Sequence, residues 1–422
     1  MGLFYSFSIL IIIATIFSYI NERFFKLPST IGIMVIAMIF SIIHVFIGSV
    51  EPTLFKQMYQ LIKNVDFSNL LMGGMLYFLL FAGAVQINLK DLKEEKISII
   101  IFSTLSVIIS TFVVGYGLYY ILGLILPALG VTTPVSLLYC LLFGALISPT
   151  DPVAVLSILR NAKVSKSLET KVTGEALFND GVAVIAFSLI YSLALGTEQL
   201  ADITPLSVSW LLIKEIFGAL IVGFLLGFIG FYGIRTIKDY KLSVLITISV
   251  VITGYMISNA MEISGPLTMV ISGVIIGNAN RKYSEITHTE NTFLKTFWEL
   301  TDEILNAVLF LLIGFELSLI PDLENYWIIG IISIVMVLLA RYVSIKIPIL
   351  LIPFKEKFSK GTIIILVWGG LRGGVSIALA LSITDGVYKN TIVAATYFVV
   401  VFSIIVQGLS IGKIAQKVEI NN

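Results

Sequence analysis

Charge is scarce in this chain. Asp, Glu, Lys and Arg make up 13% of its 422 residues, about half the roughly 25% of a soluble domain. So few charges cannot cover a water-facing surface, and a soluble globular protein is excluded. Histidine is scarcer still. His44 and His288 are the only two, neither has a metal-ligand companion nearby, and a histidine-based metal centre or pH sensor has little to stand on. The single Cys140 lies in an apolar stretch, which excludes a disulfide framework. A net charge of +1 gives no reason to expect nucleic acid as a partner. No long polar segment follows any apolar stretch, and the tail after the last one is short, so no soluble regulatory domain is expected.

What the chain has is apolar length. Hydrophobic residues make up 58% and the mean hydropathy is +1.02. Thirteen stretches of membrane-spanning length lie near residues 3–20, 28–48, 68–88, 97–126, 135–159, 172–195, 208–234, 242–259, 265–279, 303–320, 326–352, 361–383 and 391–412; the ninth is short. The predicted fold is an all-α polytopic membrane protein, a single transmembrane domain over residues 1–422. Basic residues test the count. Arg23 and Lys26, Lys90, Lys93 and Lys96, and Arg160, Lys163, Lys166 and Lys171 fall in alternate loops, as do the later clusters. In all, twenty Lys and Arg sit on one side and three (Lys56, Lys63 and Lys389) on the other. Basic loops stay in the cytoplasm, so the N-terminus is expected outside and the C-terminus inside.

A repeat is expected within this order. Gly83 near the end of the third stretch is followed eight residues later by Asp91-Leu92, and Gly314 near the end of the tenth by Asp322-Leu323. The offset of seven spans is odd, so the two copies would cross the membrane in opposite directions, as in inverted-topology repeats. Residues 1–196 would form the first six-helix repeat, 205–235 a linker helix and 241–413 the second, inverted repeat.

Two carboxylates stand out because they lie inside apolar stretches. A carboxylate at membrane depth costs roughly 2.5–3.5 kcal/mol on insertion scales and marks a functional site by default. Asp151 lies in Ser148-Pro-Thr-Asp-Pro-Val-Ala-Val, where Pro149 and Pro152 break the fifth helix and free backbone carbonyls that must line a cavity or bind an ion. Asp180 lies in Gly174-Glu-Ala-Leu-Phe-Asn-Asp-Gly, with Glu175 and Asn179 sharing a helical face and Asp180 about 100° further round. The twelfth stretch is broken by Gly369-Gly-Leu-Arg-Gly-Gly. If helices 5 and 12 cross, Asp151 and Arg372 can neutralise opposed half-helix ends. Asp180, Asp151, Thr150 and Asn179 supply hard oxygens suited to a small cation. The same carboxylates take protons when the site is dry, because burial disfavours the charged form. Arg341, inside the eleventh stretch, is the natural partner for Glu175. Lys214 and Glu215 read as a peripheral pair, Glu303 and Glu316 as funnel or interface acids, and Gly223-x-x-x-Gly227 as helix packing.

The three motifs, in this order, resemble the monovalent cation:proton antiporter family, in the branch of the NhaP-type antiporters and the sodium/hydrogen exchangers. The resemblance covers nearly the whole chain. It implies thirteen helices in two inverted repeats of six, crossed and unwound helices 5 and 12, a mobile core against a dimer-interface domain, and a homodimer in the inner membrane of a prokaryotic cell. It implies no enzyme activity and no cofactor: the substrates are protons and sodium, with lithium or potassium as alternatives. Asp180 would carry cation and proton in turn. Thr150 and Asp151 would complete the site, and Glu175 would pair with Arg341. Asn179 before Asp180 resembles the electroneutral branch, where the other branch has a second Asp. Some relatives carry a Ser hydroxyl ligand after the glutamate; here that position is Ala176. Potassium or mixed specificity stays open. An intramembrane aspartyl protease lacks its Gly-x-Gly-Asp motif here, and a cation channel lacks any filter-like repeat.

Overall fold

A hydrophobic backbone in lipid has to satisfy its own polar groups, which favours helices along every apolar run. The computed structural model describes residues 3–50, 67–128, 135–151, 155, 156, 159, 164–195, 205–237, 239–283, 288–320, 323–354, 358–384, 386 and 388–420. Among them all regular structure is helical. In chain order the helices are α1 (Leu3–Ile20), α2 (Ser29–Val50), α3 (Phe67–Gln86, with a π-turn at Leu71–Met75), the short α4 (Leu89–Glu94), α5 (Lys96–Ala128) and α6 (Leu137–Ile147). They continue with α7 (Lys166–Leu195), α8 (Pro205–Arg235), α9 (Tyr240–Met261), α10 (Gly265–Tyr283), α11 (His288–Glu316) and α12 (Trp327–Leu351). The last are α13 (Lys360–Trp368), α14 (Gly374–Leu381), α15 (Lys389–Phe402) and, after a π-turn, α16 (Gly408–Ile420). Eight helices among the described residues are long and apolar enough to cross a membrane. The repeat residue Asp322 and the kink residue Pro152 lie outside the described residues.

The helices pack as two groups. In one, α10 lies against α8 and α3, and α11 against α2 and α3. In the other, α5 lies against α6, α7 and α12, with α15 beside α12 and α14. Contact between the groups is sparser and runs through α7 with α10 and through α14 with α3 and α11. The glycines at 223 and 227 serve close packing: a Cβ at Gly223 would come within 2.8 Å of the Thr268 carbonyl, and one at Gly227 within 3.0 Å of the Ser272 backbone.

One expectation is corrected and one is extended. The tenth apolar stretch was placed at 303–320, but α11 starts at His288 and ends at Glu316. Glu299 and Asp302, in its first half, line a cavity, so hydropathy hides that part of the helix. The Lys214–Glu215 pair takes in a third member: the Lys214 charge acts on Glu215, while its Nζ lies 3.0 Å from Glu262 at the end of α9. Neighbours in a helix point about 100° apart, so the direct contact of Lys214 is with the next helix.

Candidate ion-binding site

Both broken helices are seen, and their breaks touch. α6 stops at Ile147 and α13 at Trp368, with α14 starting at Gly374. Between them, the Asp151 amide donates to the Leu371 carbonyl at 2.8 Å. The last carbonyls of a helix have no intrahelical partner and carry its negative end, and here an arginine meets each set. Arg372 Nη1 donates to the carbonyls of Ser148 (2.9 Å) and Pro149 (3.1 Å) beyond α6. Arg341 Nη2 and Nε donate to the Leu366 carbonyl in the last turn of α13, at 2.9 and 3.2 Å. Arg341 Nη1 also donates to Glu175 Oε1. Glu175, Arg341 and Arg372 are all buried. The capping of α13 by Arg341 was not foreseen from sequence.

The glycines of the second break make room for these charges. A Cβ at Gly373, the residue before α14, would come within 2.8 Å of the Asp151 carboxyl carbon. A Cβ at Gly370 would come within 2.5 Å of Arg341 Nε. The Asp151 carboxylate therefore lies beside the start of α14, the positive end of that half-helix.

From α7, Asn179 clamps the first break: its Nδ2 donates to Thr150 Oγ1 at 2.8 Å, and its Oδ1 accepts from the Thr150 amide at 3.4 Å. Asp180, one residue on, is 8% exposed. Thr150, Asp151 and Asp180 line one cavity of about 680 Å³. Its walls come from both helix groups. α7 contributes Lys166 to Asp180 and no residue beyond, and α11 contributes Glu299 to Leu309 and no residue beyond. The cavity thus ends about halfway along α7, at Asp180, and about three quarters of the way along α11, at Leu309. Asn179, Glu175, Arg341 and Arg372 stand behind its wall.

α11 adds a polar stripe that sequence reasoning named only through Glu303. Glu299, Asp302 and Asn306 follow at i, i+3 and i+7, one helical face, and all line the cavity. Asn306 Nδ2 donates to Asp302 Oδ1 at 3.0 Å. By hydropathy Glu299 and Asp302 read as loop residues between the ninth and tenth stretches, and Asn306 lies inside the tenth. Glu316, by contrast, is not among the lining residues. Among the described residues no cluster of three or more His, Cys, Asp or Glu is close enough to hold a metal. Two carboxylates with neutral oxygens suit a weakly held monovalent ion better than a tightly held divalent one.

The family model for the transmembrane sodium/hydrogen exchangers matches residues 10–417. The chain belongs to the sodium/hydrogen exchanger family. It is 42% identical over 414 residues to the Na(+)/H(+) antiporter NhaP of Pseudomonas aeruginosa, covering 97% of this chain and 95% of that one. It is 30% identical over 387 residues to the Na(+)/H(+) antiporter NhaG of Bacillus atrophaeus, covering 90% and 70%. Its fold matches that of the sodium proton antiporter MjNhaP1 from Methanocaldococcus jannaschii with a TM-score of 0.76 over 99% of each chain, at 19% identity. The chain is an integral membrane protein built on the antiporter fold.

Proposed function

We propose that this protein exchanges sodium for protons across the membrane, one for one, by alternating access, with Asp180 binding cation and proton in turn. The observation that carries the proposal is the meeting of Asp180, Asp151 and Thr150 at the blind end of one cavity. A dry carboxylate there holds either a cation or a proton, and that exclusivity is what couples the two fluxes. The cavity lies between two helix groups in sparse contact, and sliding one group past the other would close this mouth and open the opposite end. Relatives named as sodium/proton antiporters support the choice of ion.

The finer architecture belongs to the same reading. Each group draws its helices from both halves of the chain, α1–α3 with α9–α11 and α5–α7 with α12–α15, which supports thirteen spans in two inverted repeats around α8 as linker. The cavity mouth carries Lys166 and α4, the end that the basic-loop count puts in the cytoplasm, so the structure reads as inward-facing in a prokaryotic inner membrane. A homodimer and the electroneutral role of Asn179 rest on the family resemblance.

The test is sodium-driven proton movement in sealed liposomes holding the purified protein, with and without a potassium-clamped voltage. Exchange that is indifferent to voltage is expected. Exchange driven by voltage would overturn the one-for-one stoichiometry. Exchange with potassium but not sodium would change the substrate and leave the mechanism standing.

A further inference from the structure

A hydroxyl on the cavity wall has no protein partner. Ser376 is 1% exposed and sits in the first turn of α14, three residues after Gly373. Its Oγ is fully buried without a hydrogen bond, yet the residue lines the same cavity as Thr150, Asp151 and Asp180. Among the described residues it is the only cavity-lining one with a buried side-chain polar atom left in that condition. Most buried hydroxyls are bonded, and one left without a partner is costly.

Helical serines and threonines have an easy remedy: they donate to the carbonyl three or four residues back. This chain uses it at Thr396 to Ile392, Ser382 to Leu379 and Ser344 to Arg341. Ser376 does not. The residue four back is Arg372, which lies in the break outside α14. The hydroxyl is therefore uncommitted on a residue of the same cavity wall as the two carboxylates. Thr150 Oγ1, the other hydroxyl at the site, already accepts from Asn179.

We propose that Ser376 Oγ is a neutral oxygen ligand of the transported cation, completing a donor set with Asp180, Asp151 and Thr150. This rests on the antiport reading. A hydroxyl adds a lone pair without adding charge. It tunes affinity and the choice among ions of equal charge, and leaves the exchange of one charge for another untouched. It also ties the ion to α14, the half-helix whose start lies against Asp151, so cation occupancy is felt on both sides of the crossing.

The experiment uses the purified full chain, with wild type, Ser376→Ala and Ser376→Thr compared. Sodium- and lithium-driven proton movement is measured in liposomes over a range of cation concentrations. The sodium-dependent rise in melting temperature, a binding readout independent of transport, is measured in detergent. Ser376→Ala is expected to raise the half-saturating sodium concentration by about tenfold in both assays. It should also shift the sodium-to-lithium preference and leave the saturated rate within about threefold of wild type. Ser376→Thr, which restores the hydroxyl, is expected to recover most of the affinity. Unchanged half-saturation and unchanged ion preference in Ser376→Ala overturn the proposal. So does a lowered cation-free melting temperature with wild-type affinities, which would mean packing alone. Should the alanine variant fail to fold, Ser376→Cys replaces the hard oxygen by a soft sulfur at similar volume and reads the same preference. Wild type without cation-driven proton movement would instead remove the antiport reading itself.

Discussion

Arg372 and Ser148 lie 224 residues apart and are joined by one hydrogen bond, Nη1 to the carbonyl at 2.9 Å. That bond fastens the second broken helix to the first. It satisfies a carbonyl for which the residue four further on, Pro152, has no N–H to offer, and it sets a cation at the negative end of α6. Arg372→Ala is expected to lower the melting temperature in detergent and to reduce exchange by about tenfold or more, since each orphaned buried carbonyl costs about 1–3 kcal/mol. Arg372→Lys, with fewer donors and no fork, should recover little. Wild-type stability and exchange in Arg372→Ala would contradict this role.

The Glu175–Arg341 pair is buried on both sides. Removing one partner from such a pair costs about 3–5 kcal/mol because it strands the other charge. Glu175→Gln and Arg341→Gln should each destabilise strongly. The double variant should lose less than the sum, leaving a coupling of about 1 kcal/mol or more in a double-mutant cycle. Arg341 variants should do worse than Glu175 variants, because Arg341 also caps Leu366. Additive losses would show that the two side chains act separately.

Gly373 leaves space for the Asp151 carboxylate. Gly373→Ala puts a methyl into that space and should push Asp151 away from the start of α14. A fall in sodium affinity of about tenfold is expected, with a smaller change in melting temperature. Sodium half-saturation measured in liposomes checks it, and wild-type affinity would contradict the placement.

Asp302 lines the approach to Asp151 and Asp180. A carboxylate on that wall concentrates cations near the site, an effect that salt screens. Asp302→Asn should raise the half-saturating sodium concentration by about two- to fivefold at low ionic strength, and less when choline chloride is added. A shift that ignores ionic strength would point to direct ligation.

Some of this site was legible in the sequence because of what apolar surroundings make expensive. Asp151, Asp180, Glu175, Arg341 and Arg372 are charges inside stretches that cannot tolerate them without partners, so each one announces itself. The breaks were legible as well, from Pro149 and from the glycines around Arg372. Ser376 and Asn306 were not, because hydroxyls and amides are ordinary in membrane helices and only burial and bonding set them apart. Asp302 escaped for the opposite reason: it lies in a segment polar enough to pass for a loop. The partner of Lys214 needed the third dimension, since Glu262 is 48 residues away.

If proton and cation compete for Asp180, acid should weaken sodium binding and alkali strengthen it. The half-saturating sodium concentration is then expected to rise as pH falls, by up to about tenfold per unit for one proton against one cation, while the rate at saturating sodium changes less. The check is a sodium titration at several pH values, equal on both sides of the vesicle. A half-saturating concentration independent of pH would mean that the two ions bind at separate sites.

The most direct test of the whole account is Asp180→Asn in sealed liposomes, with folding confirmed by size exclusion and melting. The amide keeps the shape of the side chain and removes its proton and its charge. The account predicts a folded protein with no sodium-driven proton movement. Sodium-driven proton movement at a wild-type rate in that variant would contradict it.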